Sequence, residues 1–145
     1  MCLDEMTEML GSMSAENVSP SGLSGLSLAF IGDAVYEVLV RTHIMNGGDA
    51  RVQTLHARAR ELVNASFQAR AADMLMPHFT DEETSIYKRG RNAPSAHTPK
   101  NKTEAEYHKA TGFEAVFGWL WLKKDVGRLT RLFEIITEEN GYENT

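Results

Sequence analysis

The 145-residue sequence contains a single cysteine, Cys2. One thiol cannot form an intramolecular disulfide or a cysteine-based zinc site, so the sequence predicts a protein of the reducing cytoplasm. Lysine and arginine are absent from residues 1–40, which begin with the acidic Asp4, Glu5 and Glu8. Secretory signals and transit peptides carry basic residues near the N-terminus, so we expect neither in this sequence.

The sequence also lacks strand-like alternation of apolar and polar residues, and it contains no internal repeats. Apolar residues recur instead at helical spacing, which predicts an all-α fold, a helical bundle. A chain of this length forms one domain with its own hydrophobic core. We place that domain at residues 23–140, between an N-terminal tail and linker at 1–22 and a C-terminal tail at 141–145.

Local start and stop signals divide the chain into helices. Asn46 is followed by two glycines, which is a helix stop, and Asp49 is a suitable N-cap for the next helix. Thr80 and Thr103 each begin a capping box, because a glutamate follows three residues later. The predicted helices cover residues 1–13, 23–45, 50–75, 80–89, 103–123 and 125–138.

The helix predicted at 23–45 is apolar on almost every side between residues 26 and 40, apart from Asp33 and Glu37. A helix of this kind is predicted to be buried, and a buried carboxylate needs a cationic partner or a bound metal ion. These two acids also argue against a membrane-spanning helix. The alternative for Asp33 is a structural salt bridge or a cap, with Glu37 pairing to Arg41 one turn later.

A second apolar helix runs through residues 110–122, where Thr111 and Glu114 are the polar side chains apart from the two tryptophans. Gly112 and Gly118 disfavour this helix locally, so we expect them to allow the close approach of another helix. Packing of the two apolar helices would bring Asp33 and Glu114 together. Two carboxylates repel in a desolvated site unless a cation lies between them, and oxygen ligands favour Mg²⁺ or Mn²⁺.

The net charge of −5 argues against nucleic-acid binding, but residues 86–109 carry six bases against two acids. Residues 90–102 form a long polar loop with two prolines, and such loops are usually functional or disordered. A local cluster of bases can bind a polyanion even in an acidic protein; the alternative is a simply solvated loop. The candidate binding residues are Lys88, Arg89, Arg91, Asn92, Lys100, Asn101 and Lys102.

Three segments carry a family resemblance. Residues 29–37, Ala-Phe-Ile-Gly-Asp-Ala-Val-Tyr-Glu, resemble the ribonuclease III signature, and residues 111–118 resemble the second catalytic motif of that family. Residues 88–93 and 98–101 are similar to the variant called Mini-ribonuclease III. The resemblance spans roughly residues 23–140 and leaves no room for a double-stranded-RNA-binding domain, as in the Mini variant.

The resemblance implies an all-helical, homodimeric, Mg²⁺-dependent endoribonuclease that cuts double-stranded RNA and leaves 5′-phosphate ends. By motif, Asp33 and Glu114 are the catalytic, metal-binding carboxylates. Ala29 and Thr111 stand where the full-length enzymes have acids, so we expect one well-held ion, completed by water, RNA phosphate and the Thr111 hydroxyl. Phe30 occupies the position that packs into the partner subunit, and ordinary core packing is the alternative.

The Mini resemblance further implies that the substrate is the base-paired stem of the 23S ribosomal RNA precursor, with a ribosomal protein as a possible helper. A different function is also open, because two acids of the family pattern are missing. On that hypothesis the chain is a helical RNA-binding or scaffold module of ribosome assembly that retained the fold and lost catalysis.

Overall fold

The computed structural model describes residues 4, 5, 8, 19–94 and 103–139, and no strand occurs among them. The predicted all-α class is therefore confirmed. Most of the predicted N-terminal helix and residues 95–102 of the basic loop lie outside the described residues. The helices are α1 (Gly25–Met45), α2 (Val52–Val63), α3 (Ala65–Leu75), α4 (Asp81–Arg91), α5 (Glu104–Leu122) and α6 (Val126–Glu139), with short 3-10 helices at Pro20–Gly22 and Met76–His78.

The single helix predicted at 50–75 is wrong, because Asn64 divides it into α2 and α3. The Asn64 backbone is extended, and its side-chain oxygen accepts a hydrogen bond from the Phe67 N–H at 2.8 Å. Its amide also donates to the Arg60 carbonyl at 2.9 Å, so one side chain caps the end of α2 and the start of α3. Apolar spacing continues across this break, and periodicity alone did not reveal it.

The predicted starts of the other helices have mixed outcomes. The Thr80 capping box is present in full, with both hydrogen bonds to Glu83. Thr103 accepts from the Glu106 N–H at 3.1 Å, but the Glu106 carboxylate accepts from Ser66 instead of closing a box. The prediction that Asp49 caps α2 is wrong: Arg51 is the N-cap, and it forms no side-chain cap.

Helix α5 is the centre of the bundle and packs against α1, α3, α4 and α6. Ten of its residues are buried, which agrees with the apolar pattern predicted for this segment. Tyr36 from α1 lies edge-on to Phe113 from α5 with ring centroids 4.9 Å apart, and its hydroxyl donates to the Leu62 carbonyl at 2.6 Å. No described helix is long and apolar enough to cross a membrane.

The backbones of α1 and α5 touch where Gly32 meets Gly118. A Cβ atom placed on Gly32 would lie 1.8 Å from the Glu114 carbonyl oxygen, and one on Gly118 would lie 2.0 Å from the Leu28 carbonyl oxygen. Side chains larger than hydrogen therefore cannot occupy either position without separating the helices. The expectation that Gly118 serves close helix approach is confirmed.

The prediction that α1 is buried on every side is wrong. Its deep face, with Leu28, Tyr36 and Val40, is in the core, but the opposite face is open to solvent in the single chain. Asp33 lies on that exposed side. The large apolar side chains exposed on α1 are Leu26, Phe30, Val38 and Met45, with exposed fractions of 45%, 83%, 55% and 48%.

Replacing Gly118 by alanine tests the helix crossing. We expect Gly118→Ala to lower the free energy of unfolding by about 2 kcal/mol, because the methyl group meets rigid backbone and overpacking of this kind costs about 1–3 kcal/mol. The measurement is urea unfolding followed by circular dichroism.

Gly127→Ala is the matched control, because a Cβ there has nothing within 4 Å. It should leave stability unchanged or raise it by up to about 1 kcal/mol through helix propensity. Equal stability of the two variants would contradict the close crossing.

Candidate active site

The contact between Gly32 and Gly118 brings the two predicted carboxylates together. Asp33 follows Gly32 directly in α1, and Glu114 lies one turn before Gly118 in α5. The carboxyl groups of Asp33 and Glu114 are close enough to interact by a hydrogen bond as well as by charge. The predicted convergence of these two residues is thus present in the structure.

The two carboxyl groups have different surroundings. Glu114 is half-buried, whereas Asp33 is exposed. Burial and, after it, the neighbouring Asp33 raise the pKa of Glu114 from 4.5 to about 9, while a hydrogen bond from Gln68 acts in the opposite direction. The expectation that both acids are buried is therefore correct in part for Glu114 and wrong for Asp33.

Neither carboxylate has a cationic partner among the described residues. The described ion pairs of the surrounding helices lie elsewhere: Glu37 pairs with Arg41 at 3.3 Å, and Asp73 pairs with Lys109 at 2.9 Å. The alternative in which Asp33 is the acid of a structural salt bridge thus has no support in the described part of the chain. The raised pKa of Glu114 keeps this carboxyl group protonated at neutral pH unless a cation binds.

Sequence reasoning missed Gln68, a residue of α3. Its side chain is only 4% exposed and hydrogen-bonds the Glu114 carboxyl. The sequence does contain a signal for this residue, because Gln68 is a polar residue between Phe67 and Ala69 on the inner face of a helix. A polar side chain in such a position needs a hydrogen-bonding partner.

Thr111 lies one turn before Glu114 in α5 and is buried. Its hydroxyl donates to the Tyr107 carbonyl within the same helix at 3.0 Å. The hydroxyl oxygen keeps acceptor capacity in this arrangement. A contact to a metal ion through water therefore stays a prediction for Thr111.

The donor set fits a divalent cation of the Mg²⁺ type. Two carboxylates converge, and oxygen ligands of this chemistry suit Mg²⁺ or Mn²⁺ rather than zinc. Among the described residues no three Asp, Glu, His or Cys side chains form a cluster that could hold a metal. The protein thus supplies few charged ligands, and Mg²⁺ commonly retains several waters in such sites.

The predicted RNA-binding residues at the end of α4 lie on a helix that packs against the same part of α5. A Cβ on Gly90 would lie 3.0 Å from the Thr111 carbonyl oxygen. Lys88 is exposed, and the Arg89 guanidinium donates to the Ser21 and Leu23 carbonyls at 2.6 and 3.0 Å. Arg89 therefore also attaches the segment before α1 to α4.

The remaining members of this set have less defined surroundings. The Arg91 guanidinium lies 5.7 Å from the centroid of the Tyr87 ring and donates to the Asn92 side chain at 3.3 Å. Asn92 caps the end of α4. Lys100, Asn101 and Lys102 lie outside the described residues.

The domain is all-helical, and two carboxyl groups face each other where α1 and α5 cross at glycines. This arrangement fits a nuclease whose active site is built from acidic residues, and comparison with known proteins identifies the family. The chain belongs to the ribonuclease III family, since residues 26–125 match the ribonuclease III domain and its curated relatives are Mini-ribonucleases. The protein is accordingly an endoribonuclease of the type that acts on double-stranded RNA.

Two relatives named Mini-ribonuclease 3 illustrate the similarity. The protein of Symbiobacterium thermophilum is 42% identical over 118 residues, which cover 81% of this chain and 88% of the relative. That of Staphylococcus aureus is 42% identical over 121 residues, 81% of this chain and 90% of the relative. A crystal structure of a protein from Fusobacterium nucleatum matches with a TM-score of 0.74 and 30% identity, over 79% of this chain and 93% of that one.

The raised pKa of Glu114 predicts that the metal-free protein loses stability as pH rises. The pKa is about 9 in the folded protein and 4.5 ordinarily. Between these values the unfolded chain binds fewer protons than the folded one, so the free energy of unfolding falls with increasing pH. Glu114→Gln should therefore remove the contribution of Glu114 to the fall of unfolding free energy with pH. With chelator present, the variant should melt at a higher temperature than wild type at about pH 8.

Melting temperatures measured from acidic to alkaline pH provide the test. Glu61→Gln is the control, because Glu61 is an exposed carboxylate on α2. Its curve should run parallel to that of wild type. A Glu114→Gln curve that is also parallel would show that the Glu114 carboxyl titrates normally.

Proposed function

We propose that Asp33 and Glu114 jointly bind Mg²⁺, or Mn²⁺ in its place, and that this pair carries the hydrolysis of RNA phosphodiester bonds. The supporting observation is that the two carboxyl groups converge with no cationic side chain beside them among the described residues. Their surroundings also disfavour a negative charge on Glu114 next to Asp33. A divalent ion would offset that repulsion and allow Glu114 to ionise, whereas without a cation Glu114 stays protonated at neutral pH.

The residues of the chain have distinct tasks in this proposal. Glu114, held between helices, provides the fixed ligand, and the exposed Asp33 faces the side from which a phosphate can approach. A divalent ion held by Asp33 and Glu114 would supply an activated water and charge stabilisation for the phosphate in the transition state. Thr111 would contact that ion through a water molecule. The products carry 5′-phosphate ends.

We further propose that the substrate is the base-paired stem of the 23S ribosomal RNA precursor in the cytoplasm, with a ribosomal protein as a further partner. Support comes from the family and from the positive charge at the end of α4. Duplex RNA is recognised chiefly through its phosphates, its shape and its 2′-hydroxyls, which suits Lys88, Arg91 and the basic loop.

Lys88→Glu tests the contribution of α4 to this interface and should lower the affinity for duplex RNA. An unchanged affinity would remove α4 from the RNA interface.

The proposed homodimer is supported by the outer face of α1. The exposed apolar side chains of this helix follow one another at four-residue spacing from Leu26 through Phe30 and Ala34 to Val38, so they form one stripe. An aromatic side chain that is 83% exposed offers a large area for burial in an interface. A second copy on this stripe would lie beside Asp33, at the edge of the site.

A charge within the stripe tests the dimer. Phe30→Glu should convert a dimer into a monomer, since a desolvated carboxylate without a partner opposes association. Sedimentation velocity gives the mass directly.

Val52→Glu is the matched control, because Val52 is 62% exposed but lies on α2, outside the stripe. This variant should sediment like wild type. If Phe30→Glu and wild type have the same mass, the stripe is not the dimer interface.

Asp33→Asn tests the catalytic proposal. The amide keeps the shape of the side chain and removes the charge, so cleavage of long duplex RNA in Mg²⁺ should be lost while duplex binding remains. Asp73→Asn, a change in an exposed pair with Lys109, serves as the control and should cleave at the wild-type rate.

The second candidate function is an inactive RNA-binding scaffold, favoured by the absence of a three-acid cluster among the described residues. Wild-type protein that binds the duplex and leaves it intact in Mg²⁺ and in Mn²⁺ would support the scaffold. Cleavage by wild type that Asp33→Asn retains would instead remove Asp33 from the mechanism.

A further inference from the structure

Three polar contacts join helices α3 and α5. Ser66 donates to the Glu106 carboxylate at 2.7 Å, and the Lys109 ammonium contacts the Asp73 carboxylate at 2.9 Å. The third contact joins Gln68 to Glu114. The first two contacts lie at partly or fully exposed positions, whereas Gln68 is 4% exposed.

The burial of Gln68 is informative because its neighbours in α3 are apolar. Phe67, Ala69, Ala71 and Ala72 are all buried, and Gln68 is the polar residue among them. A buried amide is unfavourable unless it is hydrogen-bonded, so the residue is explained by its contact with Glu114.

The chemistry of the two groups determines which one donates. The ionised carboxylate that binds a cation can only accept, so in that form the Gln68 amide N–H donates to Glu114.

We infer that Gln68 is a positioning residue of the active site, which holds the Glu114 carboxylate in the orientation that shares a cation with Asp33. This inference rests on the proposed function and names a residue that acts through Glu114. Gln68 and Asp33 hydrogen-bond the Glu114 carboxyl, and of these two only the Gln68 amide can donate to it when Glu114 is ionised for metal binding. Hydrogen-bonding partners of metal ligands typically change metal affinity by about 10–100-fold when removed.

The experiment compares full-length wild type with Gln68→Met and Gln68→Asn. Methionine conserves the volume and lacks the amide, whereas asparagine keeps an amide that is one methylene too short to reach Glu114. We expect the dissociation constant for Mn²⁺, measured on the free protein by electron paramagnetic resonance, to rise about tenfold in both variants. The Mg²⁺ concentration for half-maximal cleavage should rise by the same factor, while the rate at saturating Mg²⁺ and the duplex affinity in chelator stay near wild type.

Asp73→Asn is the control on the same helix, and it should change none of these quantities. A purely structural role of Gln68 would lower the melting temperature and leave the Mn²⁺ affinity of the folded protein unchanged, which overturns the inference. If Gln68→Met does not fold, the Mn²⁺ affinity of Gln68→Asn decides.

The behaviour of the wild-type protein distinguishes failure of the positioning role of Gln68 from failure of the proposed function. Wild-type binding of Mn²⁺ and cleavage, with unchanged affinity in the variants, removes the role of Gln68 alone. Wild-type protein that neither binds Mn²⁺ nor cleaves removes the proposed function and, with it, the positioning role.

Discussion

The contact between the Gly32 and Gly118 backbones is the constraint on which the site depends. A side chain at either position would collide with a backbone carbonyl of the facing helix, so the crossing distance is available to glycine alone. Asp33 follows Gly32 directly in sequence, and Glu114 lies one helical turn before Gly118. Once the glycines touch, the carboxyl groups must share one region of space.

That arrangement is electrostatically unfavourable in the protein by itself. A half-buried Glu114 faces Asp33, and its pKa of about 9 expresses how strongly the surroundings oppose ionisation. Sites of this kind persist because the remaining fold is stable enough to hold them, here through the core around α5. The hydrogen bond from Gln68 partly offsets the repulsion and keeps the carboxylate available as a ligand.

Helix α1 shows why an apolar pattern can mislead. Its sequence predicts burial all round, yet only the face with Leu28, Tyr36 and Val40 is covered by its own chain. The opposite stripe around Phe30 is exposed, and Asp33 lies beside it. The spacing of apolar residues indicates that a helix face is apolar. It does not indicate whether that face is covered by the same chain or by a second copy.

The sequence by itself determined the helical class and most helix ends, because spacing and capping are encoded within a few neighbouring residues. The convergence of Asp33 with Glu114 was predicted on other grounds, namely two apolar helices that each carry one carboxylate and the resemblance to a known family. Only the tertiary structure decided the break at Asn64, the exposure of Asp33 and the partnership of Gln68 with Glu114. These features depend on contacts between helices that are distant in the chain. Such contacts arise from packing, and no local pattern of residues specifies which side chain a buried amide will meet.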